Sequence, residues 1–212
     1  MIIFMNKKIK IILSILLIIA ILAFIVFKVV EYKKEKEENL NFITIQDFIE
    51  RKMDGKTILE NQDIGLSFVL PQGWEFINTS WANVSMRTFD FEPFMGDVSR
   101  SPMADKGCWI DFNFSINSMH GFDYDLAYNL ANTDGFAEGQ STEKDKYERV
   151  EINNIKMVKS TLILDNNEGE VISVQIPFEK NKVYNFDTYL IGQDKEKCLE
   201  EFNSFLNSVS IK

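Results

Sequence analysis

The chain's one histidine, His120, lies in the segment SMHGFDYD with Asp123 and Asp125 just behind it. A histidine oriented by a carboxylate is half of a relay that activates a nucleophile. The nucleophile is the missing half, since no G-x-S-x-G elbow occurs in the sequence. The plainer role for the same residues is a loop histidine ahead of an aspartate that caps a helix. A single imidazole also excludes zinc sites that need two. The run DNNEGE, Asp165 to Glu170, invites comparison with a calcium loop. Counted from Asp165, however, glycine falls fifth rather than sixth, and position twelve is Ile176 instead of a bidentate glutamate. A hairpin turn is the expectation there.

Two cysteines remain, Cys108 at the start of a strand and Cys198 on the apolar side of a helix. They are too few for a four-cysteine zinc site. Outside the cytoplasm a disulfide between them would staple the closing helix to the sheet. The alternative is two buried free thiols behaving as small hydrophobes. Trp74 and Trp81 flank a hairpin, and Trp109 points away from the apolar face of its own strand, toward a second buried face or a binding surface. Asn78, Asn83 and Asn113 each begin an N-x-S triplet, which matters only in a eukaryotic secretory pathway. No residue is therefore assigned to catalysis, to a cofactor or to a metal, and no cofactor is expected.

The elements that must position these residues are mostly strands. Ile64, Leu66, Phe68 and Leu70 alternate with Gly65, Ser67 and Val69 up to the break at Pro71-Gln-Gly73. Ile110, Phe112, Phe114 and Ile116 alternate strictly with Trp109, Asp111, Asn113 and Ser115, the cleanest strand in the chain. From Val150 a meander is expected: Ile155 to Leu164, Val171 to Ile176 and Val183 to Ile191, joined by turns short enough for antiparallel hairpins. Helices are expected from Thr44, capped through Asp47 with Ile45, Phe48 and Ile49 on one face; over Asp123 to Asn132; and from Asp194. The last carries Cys198, Leu199, Phe202, Phe205, Leu206 and Val209 at helical spacing. Segments 92–107 and 133–146 read as polar, glycine-containing loops.

Composition divides the chain in two. From Ile11 to Phe27 only Ser14 is polar, and the apolar stretch extends from Ile9 to Val30 with Lys10 and Lys28 near its ends. A helix needs ~20 such residues to cross ~30 Å of hydrocarbon. The run is longer than a signal-peptide core, and no small-x-small cleavage site follows it. A lipoprotein would need a cysteine just after it. We therefore expect a short basic head at 1–8, a single-pass signal anchor at 9–30, a charged stalk at 31–43 and a domain at 44–212 on the far side of the cell membrane, outside the cytoplasm. Residues 1–38 hold seven lysines and four glutamates, whereas the remainder holds 16 basic and 28 acidic groups, a net of −12. So acidic a domain lacks the basic face that nucleic-acid binding requires and is repelled by an anionic membrane surface.

An antiparallel sheet with segregated helices is an α+β architecture. With GLSFVLPQGWEF (Gly65 to Phe76), the strand meander, VYNFDTYLIG (Val183 to Gly192) and the final helix ending FLNSVSIK, the chain resembles the PsbP-like family over about residues 60–212. The resemblance implies an α/β/α sandwich that is not an enzyme and that, in bacteria, often sits outside the membrane behind an anchor. The expected partners are the lipid bilayer, through residues 9–30, and a protein at the membrane surface. Two other functions fit the same sequence: an anchored hydrolase with scattered residues, and a carrier of an apolar ligand held between sheet and helices.

Overall fold

A computed structural model describes residues 7–40, 43–78, 84–93, 104–116, 123–164, 169–179 and 181–212. Its contacts divide the chain into Met1–Asn39 and Leu40–Lys212. The described residues of the first unit all lie in one helix, α1 (Lys7–Leu40), 34 residues long. At 1.5 Å per residue it extends ~50 Å. Its stretch Ile15–Lys33 has a mean hydropathy of 2.6 and none of it is buried.

The second unit is α+β, built on two antiparallel sheets. The smaller has the order β1-β2-β3-β13, from β1 (Ile49–Met53), β2 (Lys56–Asn61), β3 (Leu66–Leu70) and β13 (Ser210–Ile211). The larger comprises β4 (Trp74–Ile77), β5 (Val84–Thr88), β8 (Trp109–Ile116), β9 (Asp145–Ile152), β10 (Ile155–Ile163), β11 (Gly169–Phe178) and β12 (Lys182–Ile191). Its order is β4-β5-β8-β12-β11-β10-β9. Two hairpins turn on residue pairs with positive φ, Asp54-Gly55 between β1 and β2 and Asn153-Asn154 between β9 and β10. Both pairs are of the type that a two-residue turn compatible with strand twist demands.

Helices cover both faces of the larger sheet. On one face α4 (Lys195–Leu206) lies against β12 and β3. On the other, α2 (Tyr124–Asn132) and α3 (Phe136–Gln140) lie over β9 to β11, packing Leu130 and Ala137 onto Val158. This is the α/β/α layering expected. Helix α2 starts where its cap does: Asp123 accepts from the backbone N–H groups of Asp125 and Leu126, at 2.9 and 3.2 Å. The main core fills the α4 side. Phe205 packs its ring on Phe68 of the small sheet and Phe186 of the large one, at centroid separations of 5.2 and 5.3 Å. Phe48 similarly meets Phe68, Phe76 and Phe112.

Four expectations need correction. The helix expected from Thr44 is a single 3₁₀ turn, Ile45–Asp47. Its capping contact is present, with Thr44 N–H donating to Asp47 at 2.7 Å. The chain then turns extended at Phe48, because burying that ring among three others and pairing Ile49–Met53 with β2 outweighs helix propensity. Segment 92–107 contains a small ladder between β6 (Glu92–Pro93) and β7 (Ala104–Lys106), and 133–146 contains α3. The meander also begins earlier than Val150, at Asp145.

Because Phe205 bridges two sheets, Phe205→Ala should destabilise the fold by roughly 3–5 kcal/mol, the usual cost of emptying a buried phenylalanine site. Phe89→Ala, at a side chain 72% exposed, should change stability by less than ~0.5 kcal/mol. Urea denaturation of the detergent-solubilised chain distinguishes the two.

Candidate functional site

The two central strands carry matching polar patterns on the face turned away from the phenylalanine core. β8 reads Trp109-x-Asp111-x-Asn113, and β12 reads Asn185-x-Asp187-x-Tyr189. Antiparallel pairing sets Asp111 opposite Asp187 and Asn113 opposite Asn185. The flanking strands bring Ser85 opposite Asp111 and Ser173 opposite Asp187. The row Ser85, Asp111, Asp187, Ser173 therefore crosses four strands at one level. Strand alternation puts all four on one side, and their neighbours Phe112 and Phe186 on the other.

These groups are taken out of water together. Asp111 is 3% exposed, Asn185 and Ser85 are fully buried, and Asp187 is half-buried. Each carboxylate is held by neutral donors. Asp111 accepts from the Ser85 hydroxyl, from the Trp109 indole N–H at 2.6 Å, and from Tyr189. Asp187 accepts from the Ser173 hydroxyl and from the Asn185 amide N–H at 2.6 Å. Burial nevertheless prevails and raises the pKa of both acids. Asp187 is pushed up to about 6, by desolvation first, with the nearby Asp111 charge adding to it and the Ser173 and Asn185 hydrogen bonds opposing it. Burial and the two aspartates likewise raise the Tyr189 phenol. Close by, Arg87 pairs with Glu75 at 2.6 Å, and its guanidinium lies 5.8 and 6.0 Å from the Phe91 and Trp109 ring centres.

The residues singled out from the sequence are dispersed. His120, Trp81, Asn83 and Asp165 to Glu168 lie outside the described residues. Asp123 is a helix cap, and Asn78 accepts from the Ile45 N–H at 2.9 Å. Trp74 and Trp109 are both buried; the Trp74 indole donates to Glu201 of α4. Cys108 and Cys198 are drawn together as a disulfide, Cα atoms 5.2 Å apart across 90 residues of sequence. Around it, Asp194 accepts from Gly107 N–H at 2.8 Å and Thr88 Oγ1 from Cys108 N–H at 3.0 Å. An open groove of about 720 Å³ runs past the Pro71-Gln-Gly73 turn and the end of α4, with Phe89 in its lining.

Sequence reasoning missed the acid pair. Alternation marks Asp111 as the polar half of its strand, on the side of Trp109, and does not say which acid of another strand stands opposite it. The signal that could have found it is the repetition of aromatic, acid and asparagine at every second position of two strands, in opposite order. Only the register of those strands shows that the acids meet.

A proton is what the folded state gains at this site. Because the Asp187 pKa is raised above its ordinary 3.8, the folded chain holds a proton that the unfolded chain has released between pH 4 and about 6. The stabilisation is full below that window and is lost as pH rises through it. In metal-free buffer, Asp187→Asn should melt above the wild type at pH 7, by a margin on the order of 1–3 kcal/mol that shrinks towards pH 4. Thermal melting across that range reads the margin; a margin that does not vary with pH would show that the pair does not titrate there.

No family model matches the chain, and no curated protein matches it. Among solved structures it is similar to cyanobacterial PsbP (CyanoP) from Synechocystis sp. PCC 6803, at 14% identity and a TM-score of 0.43, over 76% of this chain and 95% of that one. It is also similar to LpqN, involved in cell envelope biogenesis of Mycobacterium tuberculosis, at 10% identity and a TM-score of 0.43, over 79% and 94% of the two chains. A third, a Bacteroides thetaiotaomicron protein, is 10% identical with a TM-score of 0.39, over 70% of this chain and 45% of that one.

Proposed function

We propose that this chain is a membrane-tethered binding module whose domain works outside the cytoplasm and acts by contact rather than catalysis. The observation that carries this reading is the exposed apolar surface of α1. Its stretch Ile15–Lys33 presents every side chain outward. Leaving that surface in water costs about 25 cal/mol for each Å² of it, so the helix calls for a bilayer around it. Residues 9–30 are the anchor and 31–43 the stalk. The Cys108–Cys198 disulfide agrees with placement of the domain outside, because such bonds persist in oxidising compartments and are rare in the cytosol. The PsbP-like resemblance implies a non-enzymatic module, and a protein at the membrane surface is the partner in view.

Protease added to cells stripped of their wall should digest the portion from residue 40 onward while a membrane-protected fragment near residues 9–30 survives. A domain that stays intact until the cells are lysed would overturn the placement. Activity is tested separately: hydrolysis by the purified chain that His120→Ala abolishes would replace the contact reading with the hydrolase.

The disulfide makes its own demand. It closes a loop of 90 residues, so reduction, or Cys198→Ser, should lower stability by roughly 2–5 kcal/mol. Denaturation with and without a reductant measures the loss. Thiols that react with a maleimide in freshly isolated membranes would show that the bond does not form in the cell.

A further inference from the structure

We propose that Asp111, Asp187 and the side-chain oxygen of Asn185 form a binding site for a hard divalent cation, calcium being the ion that suits them best. Asn185 points to a ligand independently of the acids. Its side chain is fully buried, and its Oδ1 has no hydrogen-bond partner. Its Nδ2 is committed to Asp187 at 2.6 Å, which holds the amide against that carboxylate. With Asp187 ionised, flipping the amide would not relieve the problem, because a carboxylate cannot donate to an oxygen placed beside it. What is left is a buried acceptor on an amide held by Asp187, one same-face position along from the Asp111–Asp187 pair, and it costs free energy until something electropositive occupies it.

The chemistry of the three side chains narrows the occupant. All offer oxygen, none sulfur or imidazole, and this favours calcium or magnesium over zinc or copper. Two carboxylates match a divalent charge. Among the described residues no three acidic, histidine or cysteine side chains gather, so neutral oxygens and water must complete the shell. Calcium accepts such irregular sets at 2.3–2.6 Å, whereas magnesium demands a near-ideal octahedron. The carboxylates keep free lone pairs after their bonds to Ser85, Trp109, Tyr189, Ser173 and Asn185 are counted, since each has about four acceptor positions. Those donors orient the acids as hydrogen bonds behind a metal ligand do. With only three protein ligands the affinity should be weak, roughly 10⁻⁴ to 10⁻³ M, the range of modules that work in calcium-rich surroundings.

The test uses the full chain in detergent, stripped with EDTA, and calcium chloride as the probe. At 10 mM it should raise the melting temperature by roughly 3 to 6 °C over sodium chloride of equal ionic strength. Terbium should bind in calcium's place and luminesce on excitation of tryptophan, since Trp109 touches Asp111, and added calcium should quench that signal. Asp187→Asn should fold, melt at or above the metal-free wild type, and lose both the calcium shift and the terbium signal. Asp111→Asn should lose them through the other acid. A wild type that calcium stabilises no more than sodium does would overturn the site. So would a calcium shift that persists in both variants, which would place the ion elsewhere on the acidic surface.

Discussion

The pairing register of β8 with β12 is the constraint from which the rest of the domain follows. Phe112 lies opposite Phe186 and Phe114 opposite Tyr184, with ring centres 5.0 Å apart in both pairs. The same register sets Asp111 opposite Asp187 on the other face. Side chains alternate with a period of two, so a slip of one residue would carry the rings into the polar layer and the acids into the aromatic core. A cross-strand aromatic pair contributes roughly 0.2–1 kcal/mol, and directly opposed like charges cost a similar amount. The aromatic face nonetheless decides, because it is continuous. Phe186 leads to Phe205, Phe205 to Phe68, and Phe68 to Phe48 and Phe76. The acids are thus held together by packing they take no part in.

Long-range ties keep that frame closed. The Tyr184 hydroxyl donates to the Ile64 carbonyl, linking the large sheet to the approach of β3, and burial pushes its phenol pKa up. Ser208, just past α4, accepts from Val69 N–H at 3.0 Å, and Asn153 in the β9–β10 turn donates to the Asn207 carbonyl at 2.8 Å. At Gly65, with φ +69°, an added Cβ would sit 2.4 Å from the Lys212 carbonyl oxygen, so glycine is what lets the last strand close on β3. These contacts converge on α4 and the residues after it. The final helix therefore acts less as a covering layer than as the joint between two sheets.

Much of this frame was legible in the sequence, for an identifiable reason. The stripe Cys198, Phe202, Phe205, Leu206 and the alternation Ile110, Phe112, Phe114 are periodic signals that local geometry converts directly into buried faces. Asp123 announced its helix because capping is a local interaction. Thr44 and Asp47 gave an equally sound local signal and misled, since the contact that stops the helix comes from Phe76 and Phe112, far along the chain. The β1–β2 hairpin was hidden differently. Every residue of β1 is exposed, so it leaves no apolar pattern to read. Its turn at Asp54-Gly55 was the one available sign.

The acid pair was illegible because alternation reports which residues share a face and says nothing of what covers that face. In a two-layer protein the polar half of β8 would meet water and Asp111 would be unremarkable. Here Asp111 is as buried as the core side chains beside it. Burying a carboxylate costs several kcal/mol even after the structure relaxes. A hydrogen bond to a charged group returns about 1.5–3 kcal/mol. Three neutral donors can therefore offset most of that cost for Asp111, but the half-buried Asp187 has two and stands beside a second negative charge. A deficit remains on both acids, as the upward direction of both pKa shifts attests, with desolvation the largest cause in each. A positively charged partner would relieve it, yet Arg87, two residues along β5 from Ser85, is taken up by Glu75 and two aromatic rings. Compensation is therefore left to something that exchanges with solvent, a proton or a cation, and this makes the layer responsive to its surroundings where the aromatic face is not.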